Sequence, residues 1–274
     1  MTPNIIKLPL RNFLFASDLH LNHSHPQVFT DTLEHWDYDA LVIAGDIGSA
    51  DSAAAYLRQI HAAIGVPLLF VLGNHDYYHA HSVGAVRQQI DAEFGTLPVL
   101  RLNGTQIIEL SSSAALVGVD GWADGRAGSG EHSAMRLNDS FYIGDLCRAA
   151  NLGDRHLFAK MRQLADADTA TLKPALLVAL AQYETVYVLT HVPPLTVTCR
   201  YLGNPSEPDA LPFFCNFGLG EELQRLAKLH PQRQIKVLCG HTHDRCHWRR
   251  DNLEVWVAGA EYGYPAAEKI FNLR

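Results

Sequence analysis

Five short apolar runs in this chain each stop on side chains that can bind a metal or move a proton. They are FLFAS (13–17), ALVIA (40–44), LLFVL (68–72), TVYVLT (185–190) and QIKVLC (234–239). Each is too short for a typical helix and is bounded by turn formers, the pattern of a strand buried on both faces. Segments of helical composition and period at 27–37, 52–64 and 82–94 alternate with the first three runs. The order βαβαβα predicts a parallel sheet covered by helices. The runs end in Asp18 and His20, Asp46, Asn74 and His75, His191, and His241 and His243. In an open α/β sheet ligands collect at the carboxyl ends of the strands, so these endings are expected to meet. Alternation in extended backbone also puts Asp18 with His20, and His241 with His243, on one side of the chain. A lone histidine at a strand end is usually structural; five coincident endings outweigh that reading.

The remaining segments are less regular. PVLRL, QIIEL and ALVGV between 97 and 119 are strand-like, and Asn103-Gly104 predicts a hairpin in an antiparallel edge. Residues 120–153 are rich in Gly, Asp and Ser without a steady period. Residues 154–182 are helical in composition, with Pro174 expected to split them into two helices. A single domain over 1–274 is expected, with 120–182 as a partly helical cap. A Pro-rich loop runs to about 216. A helix over 219–230, a strand pair across Asp251-Asn252 and a last strand at EKIFNL complete the chain.

Composition narrows the function classes. With 274 residues, 47% hydrophobic and 19% charged, the chain is long enough for a substantial core and has the balance of a soluble globular protein. The net charge is −7 and the densest basic cluster is only Arg245, Arg249 and Arg250. Duplex nucleic acid is therefore disfavoured as a partner, and so is a nuclease, which needs a basic groove. Five cysteines without a CxxC pair argue for reduced thiols inside a cell. Lys7, Pro9 and Arg11 interrupt any export signal, and no stretch reaches the ~18 apolar residues of a membrane helix. A cytoplasmic protein with no membrane partner is the expectation; its oligomeric state is left open.

The converging set holds two carboxylates, an amide oxygen and four imidazoles. This mixture suits Mn, Fe or Zn better than Mg or Ca, which favour oxygen alone, or Cu(I), which favours sulfur. Seven residues exceed one tetrahedral ion, and a bridging carboxylate lets two divalent ions share them. Two metals about 3.5–4 Å apart form a clamp for in-line displacement at phosphorus.

The motifs, in order, resemble those of the calcineurin-like metallophosphoesterases. Asp18-Leu19-His20, Gly45-Asp46, Gly73-Asn74-His75-Asp76, His191 and Gly240-His241-Thr242-His243 match the family's D-x-H, G-D, G-N-H-D/E, lone H and G-H-x-H. The resemblance implies a four-layer αββα sandwich. It implies one metal on Asp18, His20, Asp46 and His243 and a second on Asp46, Asn74, His191 and His241. It also implies that a hydroxide bridging the metals attacks the phosphorus of a small phosphorylated substrate, diester or monoester, while His75 assists the departing oxygen. Two departures stand out. Ser49 sits where many relatives carry an Asp that orients the histidine, with Asp51 the nearest substitute. Ile47-Gly48-Ser49-Ala50 replaces the Asp-Arg-Gly that grips phosphate in protein phosphatases. The rival function is an inactive relative used as a binding scaffold.

Other side chains are open to both functional and structural readings. Cys239 and Cys246 flank the last histidine pair, but Cys239 lies inside an apolar run and reads as a buried small hydrophobe. His23, His25, His79 and His81 read as solvated loop residues or pocket lining. Tyr77, Tyr78 and Tyr262 are candidates to stack on a substrate ring, and Arg126, Arg136, Arg200 and Arg245 are candidates to pair with phosphate oxygens.

Overall fold

The computed structural model describes residues 3–273. The first half contains β1 (Asn4–Lys7), β2 (Asn12–Ala16), α1 (Pro26–Leu33), β3 (Leu41–Ile43), α2 (Ala53–Ile64), β4 (Leu68–Phe70), α3 (Val83–Glu93), β5 (Gly95–Thr96), β6 (Val99–Arg101), β7 (Gln106–Glu109) and β8 (Ala114–Gly118). The second contains α4 (Asp139–Tyr142), α5 (Gly144–Ala150), α6 (Asp154–Gln182), β9 (Thr185–Leu189), β10 (Arg200–Tyr201), β11 (Asn204–Pro205), α7 (Leu211–Phe214), α8 (Phe217–Leu229), β12 (Gln234–Cys239), β13 (Cys246–Arg250), β14 (Leu253–Val257) and β15 (Ala267–Asn272). No helix among the described residues is long and apolar enough to cross a membrane.

Two sheets face each other. One runs β15-β2-β3-β4-β6-β5 and the other β1-β7-β8-β9-β12-β14-β13. Strands β2, β3, β4 and β6 are parallel neighbours, as are β8, β9, β12 and β14. Strand alternation then sorts the side chains. Phe13, Phe15, Val42, Leu69 and Val71 enter the space between the sheets and meet Tyr187, Leu189 and Leu238 from the other side. Their sequence neighbours Leu14, Leu41, Ile43, Leu68 and Phe70 pack with residues of α1, α2 and α3. Val186, Val188, Ile235 and Val237 on the second sheet pack with α6 and α8. The result is an αββα sandwich, and strands buried on both faces explain why the runs are continuously apolar rather than alternating.

Two expectations are corrected. Asn103-Gly104 does not close a hairpin: β6 joins the first sheet and β7 the second. The pair instead forms the corner between sheets, with the Asn103 side-chain oxygen accepting the Thr105 N–H and hydroxyl. The antiparallel turn falls at the serines that follow, between β7 and β8. Pro174 lies inside one continuous helix, α6, rather than between two. Its ring is exposed, where water can reach the carbonyl that loses its partner, and both halves of the helix are anchored. Leu157, Phe158, Met161 and Ala165 pack in the first helix–sheet core, and Leu172, Ala175, Leu176, Ala179 and Leu180 in the second. Met135, Leu137, Asn138 and Asp139 line a cleft, whereas the end of α6 belongs to an outer layer of the sandwich.

Candidate metal centre

Asp18, Asp46 and Asn74 follow β2, β3 and β4, adjacent parallel strands of the first sheet; His191 and His241 follow β9 and β12, adjacent in the second. The carboxyl edges of the two sheets thus deliver the sequence-predicted side chains to one place. One ligand atom from each of Asp18, His20, Asp46 and His243 lies within 4.8 Å of all the others. Asp46 Oδ2 faces both this set and the next, 3.7 Å from His20 Nε2 and 3.4 Å from His191 Nε2. Asn74 Oδ1 is 2.9 Å from His191 Nε2 and 2.9 Å from His241 Nδ1.

The backbone is strained to achieve this. Asp18 (φ 54°), His20 (43°), Asp46 (53°), His241 (71°) and His243 (59°) all adopt the left-handed conformation. For non-glycine residues this costs about 1–2 kcal/mol each. The motif glycines are required by close approach. A Cβ on Gly73 would lie 2.1 Å from Asp46 Oδ1, and one on Gly240 would lie 1.8 Å from Asp18 Oδ2. Asp76 holds the two aspartate- and asparagine-bearing loops together, accepting the N–H groups of Ile47 (2.9 Å), Gly48 (2.8 Å) and Gly73 (2.9 Å).

Hydrogen bonding fixes which atoms face inward. His191 Nδ1 lies 2.8 Å from the Ala44 carbonyl and His241 Nε2 lies 2.9 Å from the Phe213 carbonyl. A carbonyl only accepts, so those nitrogens carry protons and the opposite nitrogens point at Asn74. Asn74 cannot be turned over, because its Nδ2 donates to Asp139 Oδ1 at 2.8 Å. On neutral His241, the Nδ1 lone pair therefore confronts an amide oxygen, and His20 Nε2 confronts His243 Nε2 at 2.9 Å. Each of these contacts is satisfied by a proton on one partner or by a cation held between them.

The electrostatics agree. Burial works against the charged form of Asp46, yet His191, His75 and His20 outweigh it and hold the carboxyl well below its usual range. Burial likewise opposes charge on Asp18, but His243 and His191 hold it at about 2. Burial pushes His20 down to about 4 and also lowers His241. It would do the same to His191, but the Asp46 charge drives that imidazole up to about 10. The pocket draws positive charge inward, and the residues present fit divalent ions as its source.

His75 lies beside both sets, edge-on to His20 at 4.6 Å between ring centres. Its N–H donates to Asp46 Oδ1 at 2.8 Å. Its ring stacks on Tyr78 at 4.2 Å and 24°. Among the described residues no carboxylate hydrogen-bonds to the His75 ring. Ser49 donates to Asp51 at 2.5 Å and joins Ser52 and Asn22. Tyr78 is in turn fixed by donating to Asp139 Oδ1 at 2.7 Å. Asp139 thus steadies both Asn74 and the platform under His75. It lies in the irregular segment, where periodicity carries no signal for it.

Other candidates fall away. Tyr77 is fully buried and donates to Asp120 at 2.5 Å. His23, His25, His79 and His81 are exposed, and none lines the cleft. Cys239 is buried in β12 with its thiol on the Trp256 carbonyl. All four arginines are engaged within the chain: Arg126 with Asp124 and Asp166, Arg136 with Asp154, Arg200 with the Gly203 carbonyl and Arg245 with Glu268.

A family model described as calcineurin-like phosphoesterase matches residues 11–245. No curated protein matches the sequence. Among solved structures, a phosphopantetheinyl hydrolase from Mycobacterium tuberculosis superposes with a TM-score of 0.65 at 14% identity, over 97% of this chain and 96% of that one. The Thermus thermophilus protein TT1561 gives 0.51 at 18% identity, over 91% of this chain and 89% of that one. The anchor in the inner membrane complex of Plasmodium gives 0.50 at 13% identity, over 92% and 72%. At these identities the likeness is one of fold.

Proposed function

Because the chain belongs to the calcineurin-like phosphoesterase family, we propose that it is a two-metal hydrolase cleaving a phosphoester of a small molecule. Asp18, His20, Asp46 and His243 would hold one divalent ion, and Asp46, Asn74, His191 and His241 the other, with Mn, Fe or Zn suited to the donors. The observation that carries this reading is the convergence of imidazole nitrogens on Asp46 Oδ2 and Asn74 Oδ1. When bound, such ions neutralise phosphoryl oxygens and acidify an attacking water.

The protein's own groups supply the rest. Asp46 would contribute to both ions, and its Oδ1 is held by the His75 backbone N–H. His75, braced by Tyr78 on the cleft wall, gives a proton to the departing oxygen. Each metal-ligating type implied by the family motifs is retained, which favours turnover over a purely scaffolding role.

Release of 4-nitrophenol from a monoester and a diester, with Mn²⁺ and after metal stripping, tests the reading. Metal-dependent turnover is expected, and His75→Ala should lower kcat roughly 10²- to 10⁴-fold while both metals still bind. Metal loss in that variant equal to its loss of activity would remove His75 from the proton-transfer role. Silence of a broad ester panel with two metals bound would leave the scaffold reading.

A further inference from the structure

The cleft above the metal centre is much larger than a phosphoryl group. It has a volume of about 700 Å³ and runs from Asp46, His75 and His243 between the segment Met135–Asp139 and the hairpin of β10 and β11. That volume is of the size that encloses most of a drug-sized ligand. Its apolar walls come from Met135, Leu137, Tyr201, Leu202, Phe214 and Tyr262. Tyr201 and Leu202 are 56% and 78% exposed, a costly display for side chains with nothing to cover.

The charge lining the cleft is equally selective. No Lys or Arg lines it among the described residues, while the carboxylates of Asp139 and Glu207 do. Arg136 and Arg200 lie next to cleft-lining residues, yet the first is turned to Asp154 and the second to the Gly203 carbonyl. Recognition of an additional phosphate ordinarily uses a guanidinium or ammonium group, and the acidic lining would repel one. Away from the metal centre, the polar groups lining the cleft include Asn138, Asn204 and Ser206, which suit uncharged donors and acceptors.

We infer that the substrate is a phosphoester of an uncharged, largely apolar body that extends from the metal centre between Leu137 and the Tyr201–Pro205 hairpin, with no second phosphate. This rests on the phosphoester hydrolase reading above. It separates the substrate from nucleoside polyphosphates, bisphosphates and acidic phosphopeptides, each of which brings added negative charge into a cleft that no Lys or Arg lines among the described residues.

The test uses the Mn²⁺-loaded full chain and two ester series. One is 4-nitrophenyl phosphodiesters whose second arm is methyl, octyl or an octyl chain ending in phosphate. The other is the corresponding alkyl monophosphates, followed by phosphate release. In whichever series turns over, octyl should exceed methyl in kcat/KM by about 10-fold or more, and the terminal phosphate should cancel the gain. Leu202→Arg, at a solvent-exposed position, should collapse the octyl-to-methyl ratio and raise the phosphate-ended arm relative to plain octyl. Methyl turnover with no octyl gain, or equal or better turnover of the phosphate-ended arm by the wild type, overturns the substrate class and leaves the hydrolase reading standing. Silence of both series overturns both.

Discussion

A single carboxylate oxygen sets which way the Asn74 amide faces. Asp139 Oδ1 accepts from Asn74 Nδ2 at 2.8 Å and from the Tyr78 hydroxyl at 2.7 Å. The first bond presents Asn74 Oδ1 to His191 and His241; the second steadies the ring on which His75 stacks. Groups that orient ligands in this way commonly matter 10- to 100-fold for metal affinity. Asp139→Ala should therefore weaken one of the two proposed metal sites by about that factor and leave the other, built on Asp18, His20, Asp46 and His243, close to wild type. Asp139→Asn keeps an acceptor oxygen and should recover much of the loss. Mn²⁺ titration calorimetry resolves the two events, and equal affinities for both sites in Asp139→Ala would exclude this positioning role. Sequence could name Asn74 because motif and strand end coincide there. It could not name Asp139, since its two bonds span 65 and 61 residues and the segment around it has no period. The same limit applies to His75. Sequence shows Ser49 where a carboxylate is expected, but only the fold shows an aromatic face in its stead.

Elements were legible where burial imposed a pattern and illegible where it did not. Strands β2, β3, β4 and β9 are covered on both faces, so a nearly unbroken apolar run marks each one, and β12 departs from this only at Gln234 and Lys236. Asn103-Gly104 misled because its turn chemistry is local, whereas whether β7 pairs with β6 or leaves for the other sheet depends on contacts far away in sequence. Pro174 misled for the converse reason: the local cost of a proline in a helix is real, but packing on both sides of it is larger. The glycines before the ligands belong with the strands they end. Their role is to let the carboxylates of one loop lie against the backbone of the next. Gly240→Ala puts a methyl group where Asp18 Oδ2 now sits, at 1.8 Å. Displacing Asp18 also breaks its bonds from the His241 N–H at 2.9 and 3.0 Å. The variant should fold with a stability loss of about 1–3 kcal/mol and bind metal at least about 10-fold more weakly. Gly84→Ala, in α3 with nothing within 4 Å of the added methyl, is the matched control and should gain up to about 1 kcal/mol. Full metal stoichiometry at wild-type affinity in Gly240→Ala would refute the close-approach argument.

At the scale of the molecule, the candidate centre is a joint between two sheets. Asp18, Asp46 and Asn74 come from one sheet; His191, His241 and His243 come from the other, so bound ions would cross-link the layers at their carboxyl edges. A second joint needs no metal. Buried Asp120, after β8, accepts the Leu72 N–H at 2.9 Å and the Tyr77 hydroxyl at 2.5 Å. It also pairs with Arg87 at 2.9 Å and Arg101 at 2.5 Å, while Arg87 forks onto Asp168 of α6 through two 2.8 Å bonds. With that hub intact, the metal-free protein should remain folded and cooperative. What it lacks is a cation among the five left-handed residues of the candidate centre and the polar atoms held 2.9 Å apart there. Binding to the folded chain alone stabilises by about 2.7 kcal/mol per site when free ion exceeds Kd a hundredfold. For a domain of this size that raises Tm by roughly 5–10 °C per site. Scanning calorimetry of stripped protein against increasing Mn²⁺ should show one transition moving upward, since each ion would engage both sheets. Two separating transitions would mean that the ions stabilise one sheet alone, and a Tm indifferent to both metal and chelator would mean that the strained ligand loops are held by the protein without them.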